Sequence, residues 1–550
     1  MYLKTFKKIL RRIMAPVLAG VLAAGLLAGC GSGKDSKIIN GVNTEFNDEP
    51  NIVDDKYDTC YQVLIYSFCD SDGDGIGDIN GLTSKLDYIE DLGFTAIWLL
   101  PFTKSTTYHK YDVVDYYTID PEYGTMEDWD NFAAECDKRG IDIYMDFVFN
   151  HTSSANEWFR EAVAYINTLE DDEEPDYNEC PYAEYYNFEK RDTSKSGWQK
   201  VSGTDNWYYE CVFWGGMPDL NLDCAAVRKE IEDIASFWID KGVTGFRLDA
   251  ALHYFETQND KNIEVLKWFS DYVKSIDPDI YCVAEVWDSY ETIKKYYESG
   301  IDSIFNYTLG SKDGTIVKCI NKAGNGTSGN NLASRIVSMY NDFSAINPDY
   351  VDGVFIGNHD VGRNAGFLGK VEGKIKLAAA VQLFQTGCVY VYYGDELGMS
   401  GSGSDENKRA PMYWTDGDSD EMTKGPSGCA AGEHKFGALD TQKDEEYSLY
   451  NYYRKAIHIR NKYPEIGRGV PSVMEDVAAQ DGNLCALGKK YNDETIYIIY
   501  NNSEEPTEIT VSKDTYSYDG VADYLCVDEN LPEIHGDKIT IPGYGCVILK

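Results

Sequence analysis

Positive charge is scarce in this chain. Its 50 lysines and arginines stand against 92 aspartates and glutamates, a net charge of −42. A field of that sign repels nucleic acid and anionic membrane surfaces, leaves a neutral substrate indifferent and attracts cations. The 14 cysteines include no C-x-x-C pair and no Cys/His cluster with zinc spacing, which argues against a zinc module. Histidine is rare, at seven residues, and no internal repeat is evident. What the chain has in excess is aromatic surface, with 43 tyrosines and 10 tryptophans. Flat rings of that kind can stack on sugars, although most of them serve as core and surface filler. A chain of 550 residues, 43% of them hydrophobic, is long enough for two or three globular domains.

The first residues read as a targeting signal. Lys4, Lys7, Lys8, Arg11 and Arg12 form a basic region, and residues 13–27 an apolar run broken by Pro16. The run is short for a membrane span and ends in Leu27-Ala28-Gly29-Cys30. It resembles a bacterial lipoprotein signal, which implies lipidation of Cys30 and a mature body outside the cytoplasm. Residues 31–56 are polar and read as a flexible tether. Without Cys30, thirteen cysteines remain. An odd number argues against a complete disulfide framework and predicts mostly buried thiols with one or two bridges.

Beyond the tether, strand-like apolar runs alternate with amphipathic helical stretches. The strand candidates are 60–68, 96–101, 141–149, 245–250, 280–287, 303–308, 353–358 and 388–394, with helices such as 81–92, 127–139, 226–241, 263–275 and 372–385 between them. Eight β-then-α units with near-continuous apolar strands predict an α/β fold, a (β/α)8 barrel. The segment between the third and fourth strands is too long for one helix. It reads as an inserted subdomain, residues 151–218, which leaves 57–150 and 219–465 for the barrel. From 466 to 550 the pattern turns to alternating strands, a C-terminal β-sandwich.

Polar residues gather where the strands end, the side on which such barrels carry chemistry. Asp146, Asn150 and His151 close the third strand, Arg247, Asp249 and His253 the fourth, Glu285 the fifth, and Asn358, His359 and Asp360 the seventh. Arg247 and Asp249 are two apart, so both face the same way along a strand. A permanent cation beside Asp249 is expected to lower its pKa and keep it ionised. Glu285, between Val283 and Trp287, is expected to hold its proton. Two carboxyl groups tuned apart are the requirement of glycoside hydrolysis. Asp70, Asp72, Asp74, Ile76 and Asp78 alternate with glycines after the first strand, a spacing of oxygen donors that suits a hard cation such as calcium. Gly81 stands where an EF-hand would place its bidentate glutamate.

The segments DFVFNH (146–151), GFRLDAALH (245–253), AEVW (284–287) and IGNHD (356–360) resemble the four signature regions of the α-amylase family, glycoside hydrolase family 13. MPDLN (217–221) resembles its fifth, and YHKYDVVDYY (108–117) and YYGDELGM (392–399) are also similar. The resemblance implies a retaining α-glucan hydrolase with Asp249 as nucleophile, Glu285 as acid/base and Asp360 as transition-state stabiliser. It implies sugar contacts from Tyr111, His151, Arg247, His253, His359 and Arg363, and support of Arg247 by Asp112. The acidic loop resembles the structural calcium loop of some members.

Within that family, Ala at the position of Ala250 goes with α-1,4 preference, and the MPDLN segment resembles that of a group that includes lipid-anchored α-amylases. Leu252 replaces a lysine common in α-amylases, so neopullulanase-like action and 4-α-glucanotransfer stay open beside endo-amylase. An α-1,6-glucosidase or a non-catalytic glucan-binding protein is a more distant alternative. The expected partner is a starch or maltodextrin chain bound by a monomer, with membrane contact through the lipid alone.

Overall fold

A computed structural model describes residues 49–170, 172–322, 328–417, 419–430 and 434–550, with backbone alone at 38–39 and 42–43. The signal, Cys30 and most of the tether lie outside the described residues. The end of the tether is held. Asp55 accepts from Arg468 at 2.6 and 2.7 Å, and Lys56 pairs with Asp302, just before the sixth barrel strand, at 2.7 Å. The chain therefore enters the barrel from the side opposite the catalytic strand ends.

The eight barrel strands are β1 (Thr59–Val63), β2 (Ala96–Leu99), β3 (Asp142–Phe147), β4 (Gly245–Leu248), β5 (Tyr281–Ala284), β6 (Ser303–Ile304), β7 (Gly353–Val354) and β8 (Cys388–Tyr392). They pair in parallel in the order β6-β5-β4-β3-β2-β1-β8-β7. A parallel bridge from Phe305 to Gly353 joins the two edges. Strands covered on both faces can be apolar throughout, which is why they stood out as unbroken runs.

Aromatic side chains fill the interior. Trp98 stacks on Phe305 at 5.2 Å and Tyr144 on Tyr281 at 5.0 Å. Gly245 makes room for this layer, because a Cβ there would come within 2.5 Å of the Tyr144 ring.

The outer helices start and stop on recognisable signals. Helix α1 (Met126–Arg139) opens with a capping box between Thr125 and Asp128 and closes on Gly140 at φ 72°. Further along come α2 (Ala225–Asp240), α3 (Asn259–Ile276), α4 (Gly329–Ile346) and α5 (Glu372–Leu383). Helix α5 is buried from Ile375 onward.

Two buried basic side chains satisfy carbonyls at and beyond the end of α5. Lys489 donates to the carbonyls of Phe384 at 2.6 Å and Ile466 at 2.8 Å. Arg460 donates to those of Leu383 at 2.8 Å and Gln385 at 2.7 Å.

After β3 a small antiparallel sheet of Phe188–Lys190, Trp207–Glu210 and Trp198–Lys200 packs with the helix Glu157–Ile166 around Phe159, Tyr186 and Tyr209. The C-terminal region forms two antiparallel sheets, of five and three strands, around Ile499, Val547, Ile509, Ile539 and Ile541. All thirteen described cysteines are free, twelve of them buried, so the expected one or two bridges do not form. Among the described residues no helix is long and apolar enough to cross a membrane.

Candidate active site

Strand register builds the centre of the site. Arg247 on β4 lies level with Asp146 on β3, and Asp249 and Glu285 each follow directly on the ends of β4 and β5. From this position Arg247 donates to Asp146 at 2.6 Å and Asp249 at 2.5 Å through Nη1, and to Glu285 at 2.8 Å through Nη2. Glu285 also accepts the backbone N–H of Ala250 at 3.0 Å and the hydroxyl of Tyr307 at 3.4 Å.

The third carboxylate, Asp360, arrives from the loop that follows β7. Tyr111 Oη lies 3.5 Å from Arg247 Nη1 and 2.7 Å from His359 Nε2, and that same nitrogen lies 3.0 Å from Asp360. Asp249, Glu285 and Asp360 are thus joined in one network through Arg247, Tyr111 and His359. Side-chain exposure rises across it from 9% to 12% to 28%.

Burial and charge tune these groups in opposite directions. Burial pushes the carboxyls of Asp249 and Glu285 up, and the opposing pull of Arg247 is outweighed. Arg247 does pull Asp249 down as expected, but the expected net lowering is overturned because burial outweighs that pull. One guanidinium is divided among three buried carboxylates and cannot compensate each of them. Burial also acts to raise Asp360, but His359, Arg409 and Arg247 prevail and hold it well below the usual range. Burial pushes His151 down to about 4 and also lowers His359, which keeps both rings neutral near pH 7. With the Gln62 amide nitrogen facing His359 Nδ1 at 2.8 Å, the ring proton belongs on Nε2, toward Asp360 and Tyr111.

The predicted sugar contacts divide into three groups. Tyr111 and His359 stack at 5.7 Å in the centre. His151, bonded to the Tyr111 carbonyl at 3.2 Å, and His253, bonded to Glu256 at 2.6 Å, flank Phe213 of the inserted segment with ring centroids 5.3 and 5.2 Å away. Arg363 is misplaced in the sequence reading. It is fully buried and donates to the carbonyls of Lys408 at 3.0 Å and Tyr393 at 2.5 Å, so it braces the backbone behind the site. Asp112 does not reach Arg247 either. Its carboxylate accepts from Ser105, Thr106 and Thr107, and Asp146 takes the place beside the guanidinium.

Sequence reasoning also missed Arg409, which donates to Asp360 at 2.9 Å. It missed Gln62 as well, a buried amide inside the otherwise apolar run Cys60–Val63 of β1 and so a signal that could have been read. Trp287 was expected to shelter Glu285. It is 55% exposed and stacks on Tyr307 at 5.2 Å.

In the acidic loop, Asp70, Asp72 and Asp78 bring carboxylate oxygens within 4.8 Å of one another, the one such cluster among the described residues. Asp74 lies outside it and accepts the N–H of Ile76 at 2.7 Å, while the Ile76 side chain packs on the core.

Residues 62–469 match the family model for the α-amylase catalytic domain. The chain belongs to the α-amylase family. This glycoside hydrolase is 39% identical over 448 residues to α-amylase 3 of Dictyoglomus thermophilum, covering 80% of this chain and 84% of that one. The solved structure of Eubacterium rectale Amy13B superposes with a TM-score of 0.88 at 42% identity, covering 91% of this chain and 97% of that one. An α-amylase from H. orenii superposes with a TM-score of 0.77 at 31% identity over 90% of this chain and 99% of that one. More distant members include a neopullulanase and a trehalose-6-phosphate hydrolase, so the family alone leaves the bond specificity open.

Proposed function

We propose that this chain is an α-amylase, an endo-acting and retaining hydrolase of α-1,4-glucosidic bonds in starch, amylose and maltooligosaccharides. One observation carries the reading: Arg247 binds Asp249 and Glu285 at once, and the Tyr111–His359 pair links them to Asp360 at the strand ends. Asp249 attacks the anomeric carbon while Glu285 gives its proton to the departing glycosidic oxygen. Glu285, now a carboxylate, takes a proton from the water that attacks the same carbon and frees Asp249. The raised Glu285 carboxyl suits the proton donor. The ionised Asp360 suits a group that binds sugar hydroxyls and opposes positive charge on the ring. The stacked Tyr111 and His359 suit the face of that same sugar, with His151 and His253 toward the inserted segment.

Ala250 and the similarity to α-amylases support the α-1,4 assignment. A second reading, transfer to a sugar hydroxyl, is favoured by Leu252 and by the exposed Phe213 and Trp287, which give the acceptor side an apolar character. Asp70, Asp72 and Asp78, with Asp74 and the Ile76 carbonyl nearby, would hold a calcium ion. When bound it supplies charge neutralisation and a cross-link within the loop. Lipidation of Cys30 would place the enzyme on the outer side of a bacterial membrane.

The test is D249N on soluble starch, with wild-type initial rates compared on amylose, pullulan, panose and cyclodextrin. Loss of reducing-end release and preference for amylose are expected. A wild-type rate in D249N removes the nucleophile assignment, and dominant glucose release from isomaltose overturns the α-1,4 reading.

A further inference from the structure

Asp360 reaches the site from a loop and not from a strand, so its orientation depends on what holds it. Its Oδ2 meets His359 Nε2 at 3.0 Å and its Oδ1 accepts from Arg409 Nη2 at 2.9 Å. Arg409 is buried and spends its remaining donors on the same corner, with Nε toward the His359 carbonyl at 3.3 Å and Nη1 toward Tyr108 Oη at 3.1 Å. Asp405, at 3.9 Å, is a looser neighbour.

The backbone of Arg409 is fixed in turn to the short 3-10 turn (Ile65–Ser67) that follows β1. Ser67 Oγ donates to the Arg409 carbonyl at 2.7 Å, the Met412 N–H to the Ser67 carbonyl at 2.8 Å, and Trp414 Nε1 to the Phe68 carbonyl at 2.6 Å. A chain of hydrogen bonds thus runs from the turn after the first strand to the third carboxylate. Only a planar fork could serve Asp360, the His359 carbonyl and Tyr108 together.

We propose that Arg409 is the positioning residue for Asp360, holding its carboxylate aimed at the reacting sugar. The inference rests on the reading of Asp360 as transition-state stabiliser. A group that aligns another acts on kcat more than on KM, and small misplacement of a reacting group costs about 100-fold in rate.

The experiment measures R409A, R409K and D360N on a defined maltooligosaccharide, with melting temperatures and with guanidinium ion added at millimolar concentration. R409A is expected to lose about 100-fold in kcat with little change in KM, and guanidinium to restore part of that loss. R409K keeps the charge and folds even where R409A fails. It is expected to lose about 10-fold, because a point charge cannot replace the fork. Wild-type kcat in R409A or R409K overturns the inference, as does a folded, inactive R409A that guanidinium does not rescue. If R409A is unimpaired while D360N is inactive, the role of Arg409 fails and the reading of Asp360 stands. A fully active D360N removes that reading itself.

Discussion

Arg247 on β4 lies level with Asp146 on β3 and donates to it at 2.6 Å, while the same guanidinium holds Asp249 and Glu285. Burial raises both of the latter carboxyls against the pull of Arg247. The nucleophile must be ionised, so activity falls as pH drops through its pKa. Removing the cation raises that pKa further. R247M should therefore move the acid limb of the kcat/KM profile to higher pH, by about 1–3 units. An acid limb that stays in place or moves down would show that Arg247 does not set the charge of Asp249.

Trp287 exposes 55% of its surface and lies parallel to Tyr307, whose hydroxyl touches Glu285. Under the proposed function this exposed ring serves as a platform for the sugar that receives or follows the cut. W287A should raise KM on maltooligosaccharides by about 3- to 10-fold. Activity on an α-glucosyl fluoride, which has no second sugar, should change far less. Equal losses on both substrates would place Trp287 in the support of Glu285 instead.

Asp70, Asp72 and Asp78 converge in one loop, where the ammonium of Lys424 donates to the Asp74 carbonyl at 2.9 Å. If they hold calcium, chelation should lower the melting temperature and added calcium restore it. The lost stability is about 2.7 kcal/mol for an ion present at 100 times its Kd. An unchanged melting curve in chelator, with D72N as stable as wild type, would leave the loop a solvated acidic turn.

Lys489 is buried against the carbonyls of Phe384 and Ile466 and has Thr386 Oγ1 at 3.1 Å. Replacing it by Met keeps the volume but strands those acceptors. A loss of about 2–4 kcal/mol is expected, with kcat unchanged because the residue is remote from the catalytic mouth. A melting temperature equal to wild type would mean that these carbonyls find other donors.

The barrel was legible because strands buried on both faces leave unbroken apolar runs, and Asp249, Glu285 and Asp360 stood out as acids ending such runs. What faces them was not legible. Whether Asp112 or Asp146 meets Arg247 depends on the register of β3 against β4, two strands about a hundred residues apart in the chain. Arg363 and Arg409 both follow barrel strands within loops. Only the folded path shows that Arg363 turns inward to carbonyls while Arg409 turns toward Asp360. Strand β6 pairs as Ser303–Ile304 and β7 as Gly353–Val354, although apolar sequence runs further in each. Beyond those pairs the chain bends into catalytic loops, a change of direction that local preference does not encode.

The most direct measurement is a trap. In E285Q, an α-maltosyl fluoride needs no proton for departure of fluoride, but the second step lacks its base, so the glycosyl ester should accumulate. Peptide masses after this reaction should show one maltosyl unit on the peptide carrying Asp249. A maltosyl unit on another carboxylate, or turnover of the fluoride with no adduct on any peptide, would contradict the convergence of Asp249 and Glu285 on one anomeric carbon.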